Sequence, residues 1–223
     1  MKKFAVVATI ALLGAFSARA DIVFDNLPPA DAGASQDSLG IYGLGQSFIT
    51  GPTASRVQSI TVALASSNLN SSYSFTLAVA SEQGGIPGNT VASILVADSS
   101  ITSLTEQNFT FNSSSFFANG VLVPNSRYWV TLTSTQASAV GWWWTRSANG
   151  VGVNGTLATW YTKNSESPWA HTGTNSTAGS YQMQVVTGPV PVPEPGTMVL
   201  AGLVCGLGGV IYRRRRAARP VVA

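Results

Sequence analysis

The groups from which this chain would have to build catalysis are one histidine, one cysteine and nine carboxylates, and their placement does not favour it. His171 lies in the polar segment Ala170-His171-Thr172-Gly173-Thr174, where a solvated loop side chain is the simpler reading than a base or a ligand. One histidine and one cysteine exclude the usual zinc sets, and Cys205, inside an apolar run, reads as a small buried hydrophobe. No Gly-x-Ser-x-Gly nucleophile elbow occurs. Asp21, Asp25, Asp31 and Asp37 fall close together without the ligand spacing of a calcium loop. A carboxylate pair hydrolysing a glycoside therefore stands only as the weakest alternative. The expectation is no enzyme, no catalytic residues, no metal and no cofactor.

Two other stretches carry recognition chemistry. In Gly141-Trp142-Trp143-Trp144-Thr145-Arg146, an extended backbone sends Trp142 and Trp144 to one face and Trp143 to the other. An exposed indole platform beside Arg146 would suit stacking on the apolar face of a sugar ring, with Trp129, Trp160 or Trp169 as neighbours. Trp142, Trp143, Trp144 and Arg146 are thus the candidate carbohydrate-binding residues of a lectin-like alternative. The plainer expectation is that these indoles fill both sides of a broad β-sandwich, since tryptophan contributes large buried area.

The second stretch is Val192-Pro193-Glu194-Pro195-Gly196-Thr197, followed by an apolar run from Met198 to Tyr212 and then Arg213-Arg214-Arg215-Arg216. Prolines fix φ and lack an N–H, so residues 189–197 are expected to be an extended, accessible linker. Thr197 can cap the following helix, and Glu194 stands ahead of its positive end. Residues 198–212 make a helix of roughly 23 Å against a hydrocarbon core of about 30 Å, a short span that arginine snorkelling and local thinning compensate. Gly202, Gly206 and Gly209 offer a smooth face for another membrane helix. Arg213 to Arg216 and Arg219 hold residues 213–223 in the cytoplasm, placing everything before Val192 outside.

Proline-flanked glutamate, short membrane helix and arginine cluster, in that order, resemble the PEP-CTERM sorting signal of Gram-negative bacteria. That resemblance implies that an integral-membrane cysteine transpeptidase, an exosortase, recognises and processes the chain at Pro193, Glu194 and Pro195. It also implies transient residence in the inner membrane with the domain in the periplasm, then delivery to the cell surface or an extracellular matrix.

The other end agrees with export. Lys2 and Lys3, the apolar core 4–16 and Ala18-Arg19-Ala20 match a secretory signal peptide, residues 1–20, cleaved before Asp21 and handled by the Sec machinery. Residues 21–188 remain, enough for one domain with its own core. Removing Lys2, Lys3, Arg19 and the five tail arginines leaves Arg56, Arg127, Arg146 and Lys163 against eight acids, a net charge of −4 in place of the whole-chain +3. A mildly acidic domain argues against nucleic acid as a partner.

Within 21–188 the pattern is β throughout. Strands are expected at 22–26, 45–50, 57–65, 72–80, 91–96, 108–111, 120–123, 128–134, 139–145, 157–161 and 180–187. Period-two runs mark them: Ile60, Val62, Leu64; Tyr73, Phe75, Leu77, Val79; Phe109, Phe111; Tyr128, Val130, Leu132; Tyr181, Met183, Val185. Turn residues punctuate them, at Thr50-Gly51-Pro52, Gln83 to Asn89 and Pro124-Asn125 among others. The expected fold class is all-β, a two-sheet antiparallel sandwich of jelly-roll type.

Asp25-Asn26-Leu27-Pro28, Gly45-Gln46-Ser47-Phe48, the Gly84–Asn89 turn and Tyr128-Trp129-Val130-Thr131-Leu132 together are similar to the choice-of-anchor domains, the R type in particular. These are extracellular modules without assigned catalytic activity. On residues alone, Gly45 reads as a flexible turn ahead of a strand whose Phe48 faces inward. The combined expectation is a non-catalytic exported protein, structural or adhesive, at the cell surface or in exopolysaccharide.

Overall fold

In a computed structural model, the structure describes residues 20–27, 35–41, 43–112, 120–145, 150–152, 160–163, 169 and 180–190, all within the unit Ala18–Val190. Residues 1–19, where the signal peptide is expected, residues 191–223, Arg146 and His171 lie outside them.

The described residues form thirteen strands, the longer ones marked by alternation of apolar and polar residues: β1 (Asp21–Asp25), β2 (Ser35–Gly40), β3 (Gly43–Ile49), β4 (Ser55–Ser66), β5 (Ser74–Gln83), β6 (Ile86–Ala97), β7 (Gln107–Asn112), β8 (Val121–Leu122), β9 (Arg127–Thr133), β10 (Ser138–Thr145), β11 (Trp160–Lys163), β12 (Ser180–Tyr181) and β13 (Met183–Pro189). All pairings among them are antiparallel, and they form two sheets. The smaller runs β11-β3-β9-β5-β6; the larger is built on β4, with β7 and β8 on one flank and β13 then β10 on the other. β1 borders β13, and β2 borders β10.

Residues paired across neighbouring strands share a face, so the apolar runs line up as rungs. In the larger sheet Phe111, Ile60, Val185 and Phe24 are successive partners across β7, β4, β13 and β1. In the smaller, Ile94, Leu77, Leu132 and Leu44 are successive partners across β6, β5, β9 and β3. Most of these side chains are fully buried, and the edge residues Phe111 and Ile94 pack against the core from part-buried positions. The result is an all-β sandwich.

Three expectations are corrected. Gly45 is not a turn: it sits mid-strand in β3, where a Cβ would meet Trp169, Pro87 and Thr131 at 3.4 to 3.6 Å. The seven-residue turn from Gln83 to Asn89 is a two-residue hairpin, because Gly84 (φ 64°) and Gly85 (φ 87°) suit the tight primed turn and Gln83 pairs with Ile86. Tyr73 stands exposed just ahead of β5 and does not join the buried row of Phe75, Leu77 and Val79.

Candidate functional site

The tryptophan run forms most of β10, and pairing decides where each ring goes. Trp142 is opposite the buried Leu64 of β4, and Trp144 opposite the buried Tyr181 of β12. Trp142 is 0 % exposed, stacks on Tyr181 with ring centroids 4.8 Å apart and donates its Nε1–H to the Gln182 carbonyl at 2.9 Å. Trp142 is therefore a core residue and offers no face to a ligand, which corrects its place among the carbohydrate-binding candidates. Trp144 packs part-buried against the core. Trp143 faces the other way and is half-buried, beside Gln36 of β2, whose side chain lies over Gly141. Only Trp143 of the three fits the outward-facing reading. Trp129, also weighed as a platform member, is fully buried, and Trp169 is half-buried over Gly45.

Behind Trp142 lies a seam in the larger sheet. The chain segment of β12 and β13 pairs with β4 as far as Met183, then leaves it at Gln182 and pairs with β10 from Tyr181. A strand that changes neighbours leaves ladder groups without partners, and buried backbone groups must be paired. Polar side chains supply the missing bonds. Asn26 accepts from Met183 N–H (2.7 Å) and donates to Tyr181 C=O (3.1 Å), while Gln46, from the opposite sheet, accepts from Tyr181 N–H (3.0 Å). Gln182 itself donates its N–H to Trp143 C=O (2.8 Å), and its carbonyl accepts from Ala63 N–H at 3.2 Å. Asn26 and Gln46 thus have structural work, and so has Asp25, which accepts from Leu27 N–H (3.1 Å) and Gln184 Nε2 (2.7 Å).

Of the four acids considered for calcium, Asp25 and Asp37 are engaged in this way, and Asp31 lies outside the described residues. Asp37 accepts the Tyr181 phenol proton at 2.6 Å. Asp98 is completely buried and takes hydrogen bonds from Ser71 Oγ (2.8 Å), Ser138 Oγ (3.0 Å) and Ala139 N–H (2.9 Å), tying three loops together. Glu82 pairs with Arg127 at 3.2 Å. Among the described residues no cluster of three potential metal ligands occurs. Residue type alone did not single out Asp98, and its position in a Ser-rich loop gave no further signal.

Burial, with the Asp37 carboxylate beside it, pushes the Tyr181 phenol far above the ordinary tyrosine value of 10.0. A folded-state value above the unfolded one gives a stability contribution that is complete below about pH 10 and is lost as pH rises, because only the unfolded chain then releases the proton. From Tyr181 alone the loss between about pH 9 and pH 11 is about 1.4 kcal/mol in total. Denaturant unfolding of the wild type and of Tyr181→Phe over that range checks this: the variant should lose less stability by that amount.

At one end of the sandwich the loop after β3 and the loop before β9 are knotted by Thr50. Its hydroxyl donates to Val123 C=O at 2.6 Å and accepts from Ser126 N–H at 2.9 Å, and its N–H reaches Ser126 C=O at 3.0 Å. Tyr128 Oη accepts from Val123 N–H at 2.9 Å. Between this loop and the β5–β6 hairpin opens a groove of about 450 Å³ lined by Ser81, Glu82, Gly84, Val123, Ser126, Arg127 and Tyr128. β13 ends here as well: Pro189 pairs with Ser55, whose other neighbour is Leu122 of β8.

The segment beyond β13 decides where the chain is sent. Residues 191–216 match the PEP-CTERM protein-sorting motif. The motif indicates a secreted protein, processed at the membrane by an exosortase-type enzyme and exported to the cell surface. Pro193, Glu194, Pro195 and Arg213 to Arg216 all fall within it. No curated protein matches the chain. The PEP-CTERM motif begins two residues after β13 ends, so the folded sandwich runs almost up to its sorting signal.

Proposed function

We propose that residues 21–188 form a non-catalytic β-sandwich of the choice-of-anchor kind, jelly-roll in topology, whose task is structural or adhesive. It is exported under the signal peptide 1–20, held briefly in the inner membrane by a helix at 198–212 with the domain in the periplasm, and passed to the cell surface or an exopolysaccharide matrix. The PEP-CTERM match at 191–216 carries this reading. A non-enzymatic role is supported by the engagement of Asp25, Asp37 and Asp98 in hydrogen bonds that build the fold.

The sorting part has a direct test. Glu194→Ala, or deletion of residues 198–216, is expected to abolish delivery, with surface labelling of the variant reduced to background in a host that carries the exosortase. Normal surface accumulation of both variants would defeat the reading.

One observation keeps a second reading in view: Trp143 faces outward on the larger sheet. A lectin-like module would use that indole, with Arg146 following it in sequence. Glycan-array binding by the exported protein that is lost in Trp143→Ala, with an unchanged unfolding midpoint, would favour the lectin. Absence of binding to any polysaccharide would leave the structural role.

A further inference from the structure

The short connection between β13 and the sorting motif constrains the processing step. Pro193 is four residues beyond Pro189, and a chain covers at most about 3.6 Å per residue, so Pro-Glu-Pro can begin no more than roughly 14 Å from the last strand residue. A folded domain on so short a tether cannot stay clear of an enzyme that holds the motif. One particular end of the sandwich must meet the enzyme's surface, and register identifies it.

Pro189 pairs with Ser55 and Gly188 with Arg56, while Leu122 and Val121 pair with the same two residues from the other side. β13 therefore ends one strand away from β8, with the start of β4 between them. Val121 is 44 % exposed and Val123 58 % exposed at this point, although the intervening Leu122 is fully buried. Val123 has both backbone groups bonded, to Tyr128 Oη and Thr50 Oγ1, so the backbone that carries its exposed side chain is held in place. Next to it opens the groove floored by Tyr128, where the charges of Arg127 and Glu82 offset one another. A rigid, apolar, nearly charge-compensated face is suited to docking against protein, since little ordering entropy remains to be lost.

We propose that this end of the sandwich, presenting Val121, Val123 and the Tyr128 groove, is a docking face for the exosortase-type enzyme, engaged while Pro-Glu-Pro is being processed. The proposal rests on the sorting reading above and adds that the enzyme contacts the folded domain as well as the tail. The sandwich contributes recognition that the motif alone lacks, and substrates with the same tail but a different domain end are processed at different rates.

The test measures precursor-to-product conversion of the full-length chain in a host with the enzyme. Val121→Glu with Val123→Glu places carboxylates where apolar contact is made and is expected to slow conversion about tenfold. Val121→Gln with Val123→Gln, a milder pair, should give an intermediate loss, and the melting midpoint of each full-length variant in detergent should match wild type. Leu104→Glu is the control: Leu104 is 61 % exposed and comes after Ser103, whose carbonyl bonds Ser66 at the far end of the twelve-residue β4, roughly 36 Å from Ser55. It should be processed at the wild-type rate. A flexible Gly/Ser insertion after Val190 should slow conversion of the otherwise unchanged chain toward the rate of the glutamate pair, by uncoupling the face from the motif.

Wild-type conversion of both valine pairs, in a host where Glu194→Ala is blocked, overturns the docking face and leaves the sorting reading intact. Wild-type conversion of Glu194→Ala overturns the sorting reading itself. Loss of binding by the glutamate pair to enzyme-free vesicles of phosphatidylethanolamine and phosphatidylglycerol that bind the wild type also overturns the proposal, by making the face a lipid contact.

Discussion

Trp142→Ala is expected to destabilise the sandwich by about 4 kcal/mol, the range seen when a large buried aromatic is truncated. The indole is completely buried, stacks on Tyr181, and its Nε1–H bonds the Gln182 carbonyl at the point where the β12–β13 segment changes partners. Truncation leaves a cavity between the sheets and removes one of the bonds that close the seam. Trp143→Ala, one residue away, should cost about 1 kcal/mol, because its ring is half-buried and its Nε1 has no partner among the described residues. Urea unfolding of the exported protein separates the two. With total stabilities near 5–15 kcal/mol, loss of glycan binding in Trp142→Ala would report unfolding, so Trp143 is the informative residue for any carbohydrate test. Equal costs for the two variants would contradict the assignment of inward and outward faces.

Asp98→Ala is expected to cost about 3 kcal/mol, since hydrogen bonds to a charged group contribute roughly 1.5–3 kcal/mol and deletion leaves buried donors unpaired. Three donors converge on this carboxylate: Ser71 and Ala139 on Oδ2, and Ser138 on Oδ1. They come from the loop before β5 and the first two residues of β10, so the lost bonds would loosen the end of the sandwich opposite Pro189. Asp98→Asn should recover about half, because the amide oxygen can take the Oδ2 position while its NH₂ donates to Ser138 Oγ. Thermal unfolding of the three proteins measures the order wild type, Asn, Ala. If alanine is no worse than asparagine, the converging hydrogen bonds do not hold these loops.

Legibility in the sequence depended on the kind of residue. Strands carrying period-two apolar runs, such as Ile60-Val62-Leu64 and Tyr128-Val130-Leu132, lie where the pattern puts them. β2 escaped, because Ser35-Gln36-Asp37-Ser38-Leu39-Gly40 has a single apolar residue and stands at the margin of its sheet, beside β10. Pro87 looked like turn chemistry but lies in β6, next to the sheet margin, where a missing N–H costs least. Alternation placed Trp143 opposite Trp142 and Trp144, yet it gave no means of knowing which face was wet. That depended on β4 and β12 lying beside β10 and on the other sheet closing over Trp142.

By itself the sequence determined the β class and the sorting motif of the C-terminal segment, because these rest on local periodicity, proline and charge, which act within a few residues. Tertiary structure alone decided that Asp98, Asn26 and Gln46 are structural, that Trp142 is core, and that β13 ends one strand away from Val121. Those outcomes come from contacts between residues distant in the chain, such as Asn26 with Tyr181 and Gln46 with Tyr181. A polar side chain's role is set by the unpaired backbone group it meets, and no local pattern records where that group will be.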